Sequence, residues 1–181
     1  YHFGESNRIH GRETKTTKIT KPEAMEFLEK NHGNIPLKTK YNFGLLDSNK
    51  KLVAVACFGQ VIRMRNGAKS AELIRFCNLS GSRVVGGLTK LIGHFKNLYQ
   101  LDELMTYCDL EWSNGDNFKK LGFTEIETST PTEFIINLNT WQRAHYSQFR
   151  NKNDWDIRNK DEYRTVLNMG SIKFIKYFSE K

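Results

Sequence analysis

The sequence predicts an α/β domain with a mixed central sheet, helices on both faces and an α-β C-terminal extension. Three observations carry that expectation. Ser70 to Asn117 reads as strand, glycine turn, helix, strand and polar turn. Leu52-Val53-Ala54-Val55-Ala56-Cys57-Phe58 is apolar almost without interruption, as suits a central strand covered on both faces. Thr20-Lys21-Pro22-Glu23 announces a helix directly after the strand-like Thr14–Ile19.

Along the chain, Thr20 serves as N-cap, Glu23 completes a capping box and Pro22 lies in the first turn. Ala24, Phe27 and Leu28 form that helix's apolar stripe, and Gly33 is the expected C-terminal cap. Tyr41 to Leu46 and Lys51 to Ile62 are strands joined by the turn Asp47-Ser48-Asn49-Lys50. Arg63 to Lys69 is a basic loop with the turn signal Asn66-Gly67. Ala71 to Cys77 is a strand, and Arg83 to Gly87 leads into a helix with Leu88, Leu91, Ile92 and Phe95 on one side. Leu104 to Tyr107 is the next strand. Joined through a crossover helix, the two strands make a parallel pair whose ligands sit beyond the carboxyl ends. That rule places Arg75, Gly86, Gly87 and Asp109 near one crevice. Asp116 to Leu121 is a short helix ended by Gly122, and Phe123 to Glu127 and Glu133 to Leu138 are strands. Trp141 to Arg150 and Tyr163 to Met169 read as helices, and Ile172 to Phe178 as a last strand. The order is β-α-β-β-β-α-β-α-β-β with an α-β tail. The domain assignment is residues 1–13 an arm or linker, 14–140 the central domain and 141–181 the extension packed on it.

Composition narrows the function classes. The 181 residues suffice for one domain with a substantial core. At 38% hydrophobic and 27% charged the chain is globular in type. No apolar run approaches the roughly 20 residues of a membrane span, so no membrane partner is expected. The first residue is Tyr1 rather than Met, which reads as a fragment or trimmed chain. Cys57, Cys77 and Cys108 are an odd count in apolar surroundings, as for buried free thiols in a reducing cytosol. No residues have zinc-ligand spacing, so no metal is assigned. A net charge of +8 and a pI near 9.4 favour an anionic partner, either nucleic acid or a phosphate-bearing cofactor.

Two resemblances sharpen this. The element order, with Arg83-Val84-Val85-Gly86-Gly87-Leu88 at the helix start, resembles the GNAT (Gcn5-related N-acetyltransferase) fold. There an Arg/Gln-x-x-Gly-x-Gly/Ala turn binds the pyrophosphate of acyl-CoA; here Leu88 occupies the last position. More narrowly, several runs look like the Mom-like GNAT group of bacteriophage proteins. They are Glu72-Leu73-Ile74-Arg75-Phe76-Cys77, Gly86-Gly87, Thr106-Tyr107-Cys108-Asp109, Trp112-Ser113-Asn114-Gly115 and Lys120-Leu121-Gly122-Phe123. Phe27 to Gly33 and Leu167-Asn168-Met169-Gly170 fit as well, so the likeness spans most of the chain. Leu110-Glu111 stands where members often have Arg-Arg. The group includes DNA-modification proteins, which act on adenine in phage DNA and mask it from host nucleases. It also includes GNAT-like domains that follow nuclease domains in phage endonuclease-type proteins.

The resemblance implies a GNAT-like acyl or group transferase modifying a nucleobase in DNA, with acetyl-CoA or another acyl-CoA as donor. It implies the cytoplasm of an infected bacterium and a nuclease domain ahead of this stretch. One alternative is a non-catalytic DNA-binding module associated with a phage endonuclease. Another is an ordinary N-acetyltransferase on a small molecule or protein.

The candidate catalytic residues are Asp109, as general base or as a turn cap; Arg75, as anion clamp or as a salt-bridge partner of Glu72 or Asp109; Tyr41, lining the cleft or the core; and His32, as proton shuttle or helix cap. Donor binding falls to Arg83, Val85, Gly86 and Gly87, with Ser113 and Asn114 either joining them or shaping their turn. Arg63, Arg65, Lys69, Trp112 and Arg143 are the nucleic-acid candidates, with His145 and Arg150 beside Arg143. Phosphate contacts, base stacking and a solvated basic face are the readings there.

Overall fold

The computed structural model describes residues 7–32, 39–146 and 159–178. They divide between two compact units, the first comprising Tyr1–Thr106, Leu121–Phe123 and Ile175–Lys181, the second Tyr107–Lys120 and Thr124–Phe174.

In the first unit, strand β1 (Asn7–His10) and a short 3-10 turn (Gly11–Glu13) precede β2 (Lys15–Lys18) and helix α1 (Lys21–Asn31). The capping box is present: the Thr20 hydroxyl accepts from the Glu23 amide at 3.4 Å, and the Thr20 amide donates to the Glu23 carboxylate at 2.7 Å. Gly33, the expected C-terminal cap, lies outside the described residues. Strands β3 (Tyr41–Leu46) and β4 (Leu52–Phe58) form a hairpin whose turn is held by Asp47, with Oδ1 accepting from the amides of Asn49 and Lys51 at 2.9 Å each. The short β5 (Ile62–Arg63) folds back on β6 (Lys69–Asn78); then come β7 (Ser82–Val85), helix α2 (Gly87–Tyr99) and β8 (Glu103–Asp109), whose residues from Tyr107 on belong to the second unit.

The sheet is mixed. Strands β2, β3, β4 and β6 pair antiparallel in that order, and β6 pairs parallel with β8. The last strand, β13 (Ser171–Tyr177), takes the place beside β8. Ala24, Phe27 and Leu28 of α1 cluster with Val55, Cys57 and Cys77 on one face. On the other, Phe58 stacks on Phe95 of α2 with ring centres 4.0 Å apart, and Phe43 and Tyr41 lean on the same ring. The alternation of side chains along β3 and β4 sorts these two sets to opposite faces. The segment Arg83–Val85, expected as a lead-in to the helix, is a strand that pairs parallel with β1.

In the second unit, α3 (Asp116–Lys120) is the expected short helix, and β9 (Thr124–Thr128) and β10 (Glu133–Asn137) are the expected strands. Two expectations are corrected. Arg143–His145 is a strand, β11, and Tyr163–Leu167 is a strand, β12; both pair antiparallel with β10. Trp141 has a left-handed φ of 57°, which stops any helix from starting there. Tyr163, Thr165 and Val166 are aromatic or β-branched, and such side chains fit a pleated surface. Residues 147–150 of the expected helix lie outside the described residues. No helix among the described residues is long and apolar enough to cross a membrane.

Candidate functional site

The first unit's sheet changes character at one point on β6. Cys57 pairs with Arg75 and Phe58 with Leu73, so Ile74 is the extra residue of a bulge. The parallel ladder to β8 runs from Ser70–Glu103 to Leu73–Thr106 and ends there. The Thr106 hydroxyl closes it by donating to the Leu73 carbonyl at 2.9 Å. Beyond the bulge β6 pairs with β4 among the described residues, and its other edge carries backbone donors and acceptors outside that ladder.

The chain turns at the end of β6, where the Asn78 carboxamide accepts from the Val84 amide at 3.2 Å. Gly86 caps α2 in the left-handed conformation, φ 73°, with no side-chain cap. A Cβ added to Gly86 would meet nothing within 4 Å, whereas one added to Gly87 would lie 2.9 Å from Val84. Gly86 therefore leaves open space at the helix start, and Gly87 lets the helix sit tightly on β7. The amides of Gly87, Leu88 and Thr89 have no partner outside the helix among the described residues. Beside this corner Arg8 and Arg83 are register partners, both exposed, as are His10 and the 43% exposed Val85. Lys90 is tied down, donating from Nζ to the carbonyls of Gly11 and Thr14.

Arg75 and His32 come together on the α1 side. His32 caps α1, its amide donating to the Leu28 carbonyl at 2.7 Å. Burial holds its pKa below the ordinary imidazole value, and the Arg75 charge lowers it further. Asn42 and Cys57 are register neighbours of Arg75 on β3 and β4. Burial pushes the Cys57 thiol up to about 12 and the Cys77 thiol to about 11, with Arg75 pulling both the other way. All three cysteines are free and buried, as expected. Tyr41 lies on the other face, against Phe95 and Tyr99.

Two residues gain weight from the structure. Glu72, read from sequence only as a salt-bridge partner, is half-buried beside the bulge, and burial raises its carboxyl pKa. Asn42 is 4% exposed, and its Oδ1 has no hydrogen-bond partner among the described residues. An acid and an amide at strand positions between apolar neighbours were the available signals.

The polar turn of the second unit is built differently. Asp109 is exposed; its Oδ1 accepts from the Glu111 amide at 2.9 Å, and its carbonyl accepts from the amides of Trp112 and Ser113. The Ser113 hydroxyl accepts from the Gly115 amide, and Asn114 bonds both the amide and the carboxylate of Asp116. Glu111 forms a two-pronged ion pair with Arg143 at 2.7 and 3.2 Å, and the Arg143 guanidinium stacks over Phe134 at 4.2 Å. Arg143 is thus engaged inside its own unit. Trp112 is 73% exposed, so its ring is available. Among the described residues no three His, Cys, Asp or Glu side chains gather as a metal site requires.

No family model matches the sequence, and no curated protein matches it. Solved structures match the fold. The ribosomal-protein-S18-alanine N-acetyltransferase of Escherichia coli is 14% identical over 93% of this chain and 96% of its own, with a TM-score of 0.54. A Bacillus subtilis acetyltransferase solved in complex with CoA is 9% identical over 92% and 99%, TM-score 0.55. The spermidine/spermine N-acetyltransferase SpeG of Vibrio cholerae is 10% identical over 92% and 94%, TM-score 0.54. These likenesses define the class of the fold: the chain has the GNAT fold of the N-acetyltransferases.

Proposed function

We propose that this chain is a GNAT-type group transferase that takes an acyl group from acyl-CoA and passes it to a nucleobase amine in DNA. The observation that carries the donor half is the corner at the start of α2: a left-handed Gly86 under open space, and three helix-start amides with no partner outside the helix among the described residues. Such amides suit phosphate oxygens. Gly86, Gly87, Leu88 and Thr89 hold the donor's pyrophosphate through their backbone, and Arg83 and Arg8 add positive charge beside it. The β6 edge beyond the bulge offers hydrogen bonds to an extended, amide-bearing arm. When bound, the donor supplies an acyl thioester open to attack by an amine.

The acceptor half rests on the net charge of +8 and the phage-family resemblance. His32 is kept neutral at pH 7 by burial and by Arg75, so it can accept a proton from the attacking amine. Glu72, with its proton affinity raised by burial, is a second acceptor of that proton. Asp109 spends one carboxylate oxygen on its own turn and is the base that the family resemblance names. Arg75 would supply the positive charge that steadies a developing oxyanion. A base inside a duplex must leave the stack to react.

The test is mass spectrometry of nucleosides from DNA co-expressed with the chain, in parallel with Asp109→Ala. A new base mass that disappears in the variant supports the reading and names the group transferred. Unmodified DNA with a folded protein contradicts it. A second reading, a DNA-binding module without catalysis, is favoured by the local engagement of the donor candidates Ser113 and Asn114. Such a module would ignore added CoA.

A further inference from the structure

We propose that the hairpin Ile62–Ser70 is a DNA-engaging arm: its cations sit on duplex phosphates, and Ile62 and Met64 press into the base stack beside the target. This rests on the reading above for the choice of DNA as partner.

The charge pattern calls for an anion. In the β5–β6 ladder Arg63 lies directly opposite Lys69, with Arg65 at the tip. Like charges in direct register destabilise a strand pair. None of the three forms an ion pair among the described residues. Arg63 spends one N–H on the Gly67 carbonyl at 3.2 Å, and the rest of its fork is available. A lattice of phosphates relieves this repulsion and releases counterions.

The apolar pattern calls for something flat and apolar beside that anion. Ile62 is 45% exposed and Met64 41%, each next to an arginine. A duplex presents phosphates and base faces within a few ångströms of each other, and proteins that bend DNA insert such side chains between base steps. The arm is also preorganised. The Met64 amide donates to the Ala68 carbonyl at 2.8 Å, the Gly67 amide to the Met64 carbonyl at 2.9 Å and the Ala68 amide to the Asn66 side chain at 3.1 Å. A tip held by its own bonds loses little freedom on binding.

The experiment uses a short duplex carrying one 2-aminopurine, whose fluorescence rises when it unstacks. The wild type raises the signal. Met64→Ser binds with the same salt slope but loses most of the rise. Arg63→Ala with Arg65→Ala lowers the log–log salt slope by roughly 0.9 for each phosphate the arm no longer neutralises. A full rise with Met64→Ser overturns the arm, as does an unchanged slope in the arginine variant, a wild type that leaves 2-aminopurine stacked, or polyglutamate competing as well as duplex DNA. The arm and the transferase reading fail separately. A modified base whose yield on duplex is indifferent to Met64 sinks the arm alone. Unstacked but unmodified DNA sinks the transferase alone.

Discussion

Two glycines with positive φ, Gly86 and Gly115, introduce the helices that follow them, α2 and α3, but their surroundings are opposite. Gly86 has φ 73° and open space where a Cβ would be; Gly115 has φ 82° and the Phe174 ring 2.5 Å from that position. The polar groups around them differ in the same sense. Beside Gly115, the side chains of Asp109, Ser113 and Asn114 are spent on neighbouring amides. At Gly86 no side chain caps the helix, and its first amides have no partner outside the helix among the described residues. A turn rich in polar residues can be complete in itself, while a bare glycine corner leaves its donors unspent. Unspent backbone donors, more than density of polar side chains, mark the candidate site.

The sharpest contrast is between alanine substitutions at the two positions. Gly115→Ala combines a strained φ with a collision against Phe174 and should cost about 2–4 kcal/mol, read by denaturant melts. Gly86→Ala meets no neighbour, so strain alone should cost about 1 kcal/mol. Its larger effect falls on the donor, with CoA affinity dropping about tenfold by calorimetry as the phosphates lose their close approach. Equal stability losses at the two sites would break the comparison.

Ser113→Ala removes one turn hydrogen bond and should lower stability by about 1 kcal/mol. CoA affinity should hold, because the hydroxyl is spent on Gly115; a fall in affinity would return Ser113 to the donor site. His32 tests the α1 side. Its folded pKa lies below the ordinary 6.5, so the unfolded chain binds more protons in the window between the two values. The stability it contributes is therefore full above that ordinary value and declines as pH falls below it. His32→Asn should flatten that stretch of the stability–pH curve; an unchanged slope would mean that His32 titrates normally. The smallest signal is a silent one. With Cys57 near 12, Cys77 near 11 and Cys108 buried, none of the three thiols should react with a disulfide reagent at neutral pH until the protein unfolds.

Much of the fold was legible because local signals and tertiary structure agreed. The capping box at Thr20, the Asp47 turn and the apolar β4 run each formed as expected. The β11 and β12 segments misled because their helix-like spacing was short and mixed, and pairing with β10 decided them. Strand β1 carried no period of its own; it is a strand because it pairs with β7. At the site, Gly86 and Gly87 were legible as a corner, but their division of labour, space against packing, depends on atoms from Val84 and Leu45 far off in sequence or around the turn. The bulge at Ile74, which ends the β6–β8 ladder, is a property of register between strands and leaves no mark in a single strand's sequence.

The proposed donor site is the corner at Gly86. Its most direct test is a titration of CoA into protein labelled with nitrogen-15 at its 13 glycines, followed by amide NMR. The Gly86 and Gly87 signals should move in a saturable way while those of Gly115, Gly122 and Gly170 stay in place. Unmoved Gly86 and Gly87 signals, or shifts centred on Gly115, would contradict it.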